Sequence, residues 1–219
     1  LKSELSEALK VEPPSLKAKF YNVEHHRAHM ASAFYVSPFR EAAVLSLDGF
    51  GDFVSTMAGE GRGNRMKILD HIEFPHSLGL FYLAVTQYLG FLKYGDEYKV
   101  MGLAGYGKPT YLNDFRKILR LKKKGKFELD LSYFRHHSEG LDMTWNNIQP
   151  TIGTVYSEKF VKKFGPARKP DEEITGHHQN LAASLQAILE EAYFYILNNL
   201  YQRTKKENLC LAGGVALNS

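Results

Sequence analysis

The stretch Ala42-Ala43-Val44-Leu45-Ser46-Leu47-Asp48-Gly49-Phe50-Gly51-Asp52 decides how this chain is read. Ala42 to Leu47 is an apolar run broken only by Ser46, and the glycines after it are turn signals. Such a run suits a buried strand. At its end stands Asp48, a carboxylate that is costly to bury unless it is paired or bound to a cation. Gly49 and Gly51 let backbone N–H groups come close to an anion. An Asp-Gly pair between strands is often only a hairpin turn; its place at the end of the apolar run is what singles out Asp48.

Working downstream, Phe53 to Ala58 and Met66 to Phe74 read as two more strands, separated by Gly59, Gly61, Arg62, Gly63 and Asn64. The three runs form an antiparallel meander. Upstream, Glu24 to Tyr35 reads as a helix, with Ala28, Ala31 and Phe34 at helical spacing and Ser37-Pro38 as its stop. Within it, His25 and His29 stand four apart and share one face, where two imidazoles can meet one metal ion. His26 points elsewhere. Taken alone, a histidine pair on a helix is more often a surface feature; joined to Asp48 it makes a three-ligand set suited to iron or zinc in preference to magnesium, with coordination positions left open.

Further from this centre, Phe20 to Val23 reads as a short strand after a loop built on Pro13-Pro14. Leu80 to Leu89, a short segment through Met101, Tyr111 to Leu121, Gly153 to Phe164 and Gly176 to Tyr201 read as helices. Phe127 to Leu131 reads as a strand, within a stretch from Lys122 to Pro150 that carries no motif. Asn208 to Ala212 reads as a strand running into Gly213-Gly214 and a helix start, Val215 to Asn218, whose free N–H groups suit a phosphate. Gly95 to Pro109 is a glycine-rich bend in which Lys99 either contacts a phosphate or a carbonyl or is a solvated lysine, the second being what spacing alone favours. A meander, then helices, then a returning strand indicates an α/β fold with a mixed sheet of the ribonuclease-H/actin-like ATPase kind. A strand, a glycine loop and a single turn of helix at the carboxyl end read as a truncated domain.

Composition narrows the class. Hydrophobic residues make up 44% and charged residues 24% of the 219, which excludes a disordered or collagen-like chain. The net charge of +4 comes largely from two patches, Lys122, Lys123, Lys124 and Lys126 in one and Lys162, Lys163, Arg168 and Lys169 in the other. These lie beside turn residues rather than interleaved with aromatics, which argues against a nucleic-acid partner. One cysteine, Cys210, excludes an internal disulfide. With no signal peptide and no membrane-spanning run, the expectation is a cytoplasmic protein.

Four stretches in this order, His25 to Asp48, Glu97 to Pro109, Asn180 to Gln186 and Gly213 to Asn218, resemble the O-carbamoyltransferases of nodulation-factor and cephamycin biosynthesis. The likeness includes the histidine pair, the Ala-Ser-Ala-Phe-Tyr helix, the strand ending in Asp-Gly, and the Lys-x-Met-Gly-Leu-Ala-x-Tyr-Gly-Lys-Pro signature from Lys99 to Pro109. It implies an actin-like domain related to the tRNA threonylcarbamoyl-transfer proteins, with residues 1–40 closing a first lobe and 41–219 forming a second lobe with a helical insertion. It also implies metal ligands at His25, His29 and Asp48, with a further aspartate past Ser219. Gly49, Gly51, Gly213, Gly214 and Asn218 are then expected to receive ATP or carbamoyl adenylate, and Lys99 to act in catalysis. The resemblance further implies a YrdC-like domain elsewhere in the complete protein that makes carbamoyl adenylate from carbamoyl phosphate and ATP, and a hydroxyl-bearing small molecule or sugar as acceptor. The competing readings are threonylcarbamoyl transfer to tRNA adenosine, a sugar- or acetate-kinase-like phosphotransferase, and a non-catalytic nucleotide-binding scaffold.

Overall fold

A computed structural model describes residues 2–146 and 149–218. In chain order, helix α1 (Lys2–Leu9) and a 3-10 turn at Pro13–Ser15 lead to α2 (His25–Phe34). Strands β1 (Glu41–Gly51), β2 (Val54–Arg62) and β3 (Arg65–Glu73) follow. Next come α3 (Leu78–Tyr88), α4 (Glu97–Ala104), α5 (Leu112–Ile118), β4 (Leu119–Lys122) and β5 (Lys126–Leu129). A short helix α6 (His136–Glu139), strands β6 (Met143–Asn146) and β7 (Gln149–Ile152), and α7 (Glu158–Phe164) precede the long α8 (Gly176–Thr204). Strand β8 (Leu209–Ala212) and a 3-10 turn, Gly214–Leu217, come last.

The main sheet has the order β3-β2-β1-β8. The meander expected from the sequence forms its antiparallel part, with Leu45 opposite Ala58, and β8 adds in parallel to β1, with Ala43 opposite Leu209 and Ser46 opposite Ala212. The sheet is therefore mixed and the fold α/β. Period-two alternation along β1 sends its side chains to two faces. Ala42 and Val44 pack with Met30 and Phe34 of α2, while Ala43, Leu45 and Leu47 join the larger core built on α3 and α8. That core holds Phe81, Tyr88, Phe115, Phe127 and Phe160, all shielded from solvent. Burial of each such ring stabilises the fold by about 2–3 kcal/mol.

Several sequence expectations give way to tertiary bonding. Phe20 to Val23 forms no regular structure and stays exposed. The helix read from Tyr111 ends at Ile118, because Leu119–Lys122 pairs with β5 in a hairpin, Leu119 opposite Leu129. The strand read to Leu131 stops at Leu129 and turns into a 3-10 segment at Leu131–Tyr133. Of the helix read over Gly153 to Phe164, only Glu158–Phe164 is helical. Val155 instead gives its N–H to Gln87 Oε1 at 2.9 Å and accepts from the Arg135 N–H at 2.8 Å, bonds that a helix would forbid. In place of the helix start read over Val215 to Asn218 stands a 3-10 turn, Gly214–Leu217. Helix α1, rich in the helix formers Glu, Leu and Ala, is an element the sequence expectations do not include. The aspartate that the resemblance places past Ser219 lies outside the described residues.

Half of the eight basic side chains in the two lysine-rich stretches have partners among the described residues. Lys122 meets Glu128, Lys126 meets Asp70 and Lys163 meets Asp114. Arg168 is buried, its guanidinium bonded to the carbonyls of Leu89, Pro170 and Glu172. No helix among the described residues is long and apolar enough to cross a membrane.

Candidate metal centre

The pairing of β1 with β8 decides where the centre forms. Because the strands are parallel and Ser46 stands opposite Ala212, Asp48 and Gly214 each lie two residues past the same rung, side by side at one end of the sheet. Gly213 makes that approach possible. Its φ is +91°, and a Cβ on it would lie 2.1 Å from the Leu47 carbonyl oxygen. The Gly214 N–H then points at Asp48 Oδ1 from 3.4 Å, and the Gly49 N–H bonds the same oxygen at 2.8 Å.

Helix α2 supplies the other side. Its start is held by two carboxylates: Glu24 accepts from the N–H groups of His26 and Arg27, and Asp52 Oδ2 accepts from the His25 N–H at 2.9 Å. Both satisfy donors that a helix start leaves open and complement its dipole. From this start, His25 Nε2 and His29 Nε2 each lie 3.0 Å from Asp48 Oδ2. One ligating atom from each of the three residues falls within 4.8 Å of the others. The side chains are about a quarter to two-fifths exposed (His25 39%, His29 32%, Asp48 24%), so the cluster opens to solvent on one side. Burial opposes ionisation of Asp48, but hydrogen bonds from His25, the Gly49 N–H and His29 outweigh it and hold the carboxyl below its usual range.

His26 points away from the cluster, as its place on the helix requires. It is fully buried, with Nε2 2.8 Å from the Val54 carbonyl and Nδ1 2.8 Å from Ser46 Oγ. A carbonyl can only accept, so Nε2 carries the proton and the Ser46 hydroxyl donates to Nδ1. Burial, first among the causes, pulls the His26 pKa below its ordinary value. Ser46 and Asp48 are two residues apart on β1 and so share a face. The bond from His26 thus fixes α2 one rung before the carboxylate.

Two contributors escaped the sequence reading. Ser46 is the one polar residue in the apolar run, a signal that could have been followed. Ser77 precedes the apolar helix α3 and is a recognisable N-cap; its hydroxyl accepts from the Leu80 N–H and donates to the Gly49 carbonyl at 2.6 Å, bracing the loop that carries Asp48. Of the other residues singled out, Gly51 lies beneath the His25 ring, where a Cβ would meet its Cγ at 2.0 Å, whereas Gly49 faces open space. Asn218 caps the final turn and accepts from Gln186 Nε2 at 2.8 Å. Lys99 sits on α4 with its ammonium 2.7 Å from Asp96 Oδ1 and near the rings of Phe91 and Tyr98.

Comparison with known proteins gives these residues a setting. The profile of the family described as "Carbamoyltransferase N-terminus" matches residues 2–219. The chain belongs to the carbamoyltransferase family. It is 36% identical over 197 residues to the nodulation protein NolNO of Sinorhizobium fredii, covering 90% of this chain and 25% of that protein. To the nodulation protein NolO of Bradyrhizobium diazoefficiens it is 36% identical over 200 residues, covering 90% and 32%. A Synechocystis protein, sll1178, is 42% identical over 220 residues, covering 100% of this chain and 34% of its own length. The chain thus spans about a third or less of these relatives and corresponds to the family's amino-terminal domain.

Proposed function

We propose that this carbamoyltransferase-family domain transfers a carbamoyl group from carbamoyl adenylate to a hydroxyl of a small-molecule or sugar acceptor, at a centre where His25, His29 and Asp48 hold a divalent iron or zinc ion. The observation that carries the reading is the convergence of both imidazole Nε2 atoms on one oxygen of Asp48. Two neutral nitrogens and one carboxylate oxygen within such reach fit a transition metal, and a three-residue set leaves room for substrate oxygen. A bound metal would supply Lewis-acid polarisation of a substrate oxygen.

The residues of the chain carry the remaining work. The Gly214 N–H lies beside Asp48, and the N–H groups of this glycine turn suit the phosphate oxygens of an adenylate. In the transfer, the acceptor oxygen bonds to the carbamoyl carbon, the bond from that carbon to the adenylate oxygen breaks, AMP leaves, and the hydroxyl proton passes to a base. His25 and His29 are engaged as ligands and are not that base. Lys99, held by Asp96, would need to exchange that partner to reach a phosphate or carbonyl. The adenylate would come from carbamoyl phosphate and ATP on a YrdC-like domain of the complete protein. A mixed sheet with an antiparallel meander and a parallel fourth strand supports the actin-like, ribonuclease-H-type fold for this unit.

The test is metal content after anaerobic reconstitution with iron or zinc, on the chain and on the complete protein. One ion per chain is expected, lost in His25→Ala, His29→Ala and Asp48→Ala. Full metal content in all three variants would overturn the assignment.

A further inference from the structure

Between the end of β3 and the β4–β5 hairpin runs an open groove of about 330 Å³, at the lower end of the roughly 300–1,000 Å³ of small-molecule sites. One wall is the segment from His71 to His76; the other carries Lys122, Lys126 and Glu128. The polarity of one wall is fixed by the backbone. His76 Nδ1 accepts the Leu129 N–H at 3.1 Å, so the proton of the neutral ring stands on Nε2. Burial, the largest cause, pulls the His76 pKa below the ordinary 6.5 and keeps the ring neutral. The Nε2–H has no acceptor among the described residues.

The lysines of the groove are already engaged. Lys122 Nζ lies 2.8 Å from Glu128 Oε2 and Lys126 Nζ 2.9 Å from Asp70 Oδ1, so an incoming phosphate finds no unpaired cation. An incoming ammonium would meet the two lysines and the His76 N–H. Each carboxylate of the lining nevertheless uses one oxygen only. Glu73 Oε1 is 2.8 Å from His71 Nε2, and Glu73 Oε2 and Glu128 Oε1 have no partner among the described residues. Both can accept from a hydroxyl. Next to Glu73, the Phe74 ring is 40% exposed and gives the groove an apolar face.

We propose that this groove binds a neutral polyhydroxylated ring, a hexopyranoside in chemical class. Its C–H face lies on Phe74, its hydroxyls donate to Glu73 and Glu128, and a hydroxyl oxygen accepts from His76 Nε2. A hydroxyl both donates and accepts, so a ring bearing several answers two acceptors and one donor at once. The phenyl face and the few placed polar groups are the mixture that small-molecule sites use. This assignment stands apart from the carbamoyl-transfer reading, because no residue of the groove is a ligand of the metal centre.

The experiment is saturation-transfer NMR on the complete protein with methyl β-glucoside as the probe. Transfer to the C–H protons of the sugar is expected, with a Kd on the order of 1–10 mM, the range open to a ligand of this size. Phe74→Leu keeps an apolar side chain and Glu128→Gln changes an exposed one; each should weaken binding about fivefold. No transfer in the wild type, or wild-type affinity in both variants, overturns the proposal. Inorganic phosphate is the second probe and should leave the glucoside signal unchanged; displacement would overturn the neutral class. Both variants should keep wild-type metal content, and loss of the ion with the sugar would overturn the independence of this site from the centre.

Discussion

Gly51 lies directly beneath the imidazole of His25, so close that a Cβ there would sit 2.0 Å from the ring Cγ and 2.1 Å from Cδ2. The glycine belongs to β1 and the histidine to α2, and the contact sets the height of the ring above the sheet. Gly51→Ala must push His25 away from Asp48. Metal affinity should fall at least tenfold, the range seen when residues supporting a metal ligand are changed, while the fold survives. Competition with a chromophoric chelator measures this; wild-type affinity would show that the ring has another route to the carboxylate.

His26→Ala should destabilise the protein by about 2–6 kcal/mol, because it strands the Ser46 hydroxyl and the Val54 carbonyl in a buried space at about 1–3 kcal/mol each. Ser46→Ala removes one bond and should cost about 1–2 kcal/mol. Urea unfolding gives both values. Equal losses would mean that the bond to Val54 contributes nothing.

Acid should weaken the fold through its buried histidines. His136 is packed among Phe50, Phe74 and Phe134, with Nε2 bonded to the Pro75 carbonyl at 2.8 Å and Nδ1 unpartnered among the described residues. Burial holds its pKa below the ordinary 6.5. The unfolded chain therefore binds the proton more readily. The stabilisation is fully present above pH 6.5 and is lost as pH falls through the lowered folded value. Unfolding free energy measured between pH 7 and pH 5 should decline less steeply in His136→Gln than in wild type. An identical slope would assign the decline to other groups such as His26 and His76, which burial also lowers.

Gly213→Ala faces two obstacles, a φ of +91° and a Cβ that would lie 2.1 Å from the Leu47 carbonyl. Left-handed strain and overpacking each cost on the order of 1–3 kcal/mol. The variant should lose more than about 2 kcal/mol, and its Gly214 amide resonance should shift as the N–H leaves Asp48. An unshifted resonance would mean that the turn does not depend on the glycine.

The sheet and the histidine-aspartate cluster were legible because their signals are local. The meander is written in apolar runs and glycine turns, and His25 and His29 sit on one short helix. Asp48 was legible as a carboxylate out of place. The hairpin of β4 and β5 was misread because Leu119 to Leu121 continues an apolar pattern that serves helix and strand alike; only pairing with Phe127 and Leu129 settles it. Gly153 to Tyr156 was misread for a similar reason, since Gln87, far away in sequence, captures the Val155 backbone. The roles of Ser46, Ser77 and His76 depend on partners from distant elements, which no periodicity records.

The adjacency of β1 and β8 also has a temporal meaning. His25 and Asp48 are 23 residues apart in the chain, whereas Asp48 and Gly214 are 166 apart. Contacts across short separations close early, and those across long ones must await the ordering of what lies between. The histidine-aspartate cluster can therefore assemble from a nascent amino-terminal stretch, while the glycine turn arrives only after α3 through α8 have found their places. Folding builds the two sides of this centre at different times, and the last step to be completed is the one that brings the Gly214 N–H to a carboxylate already in position.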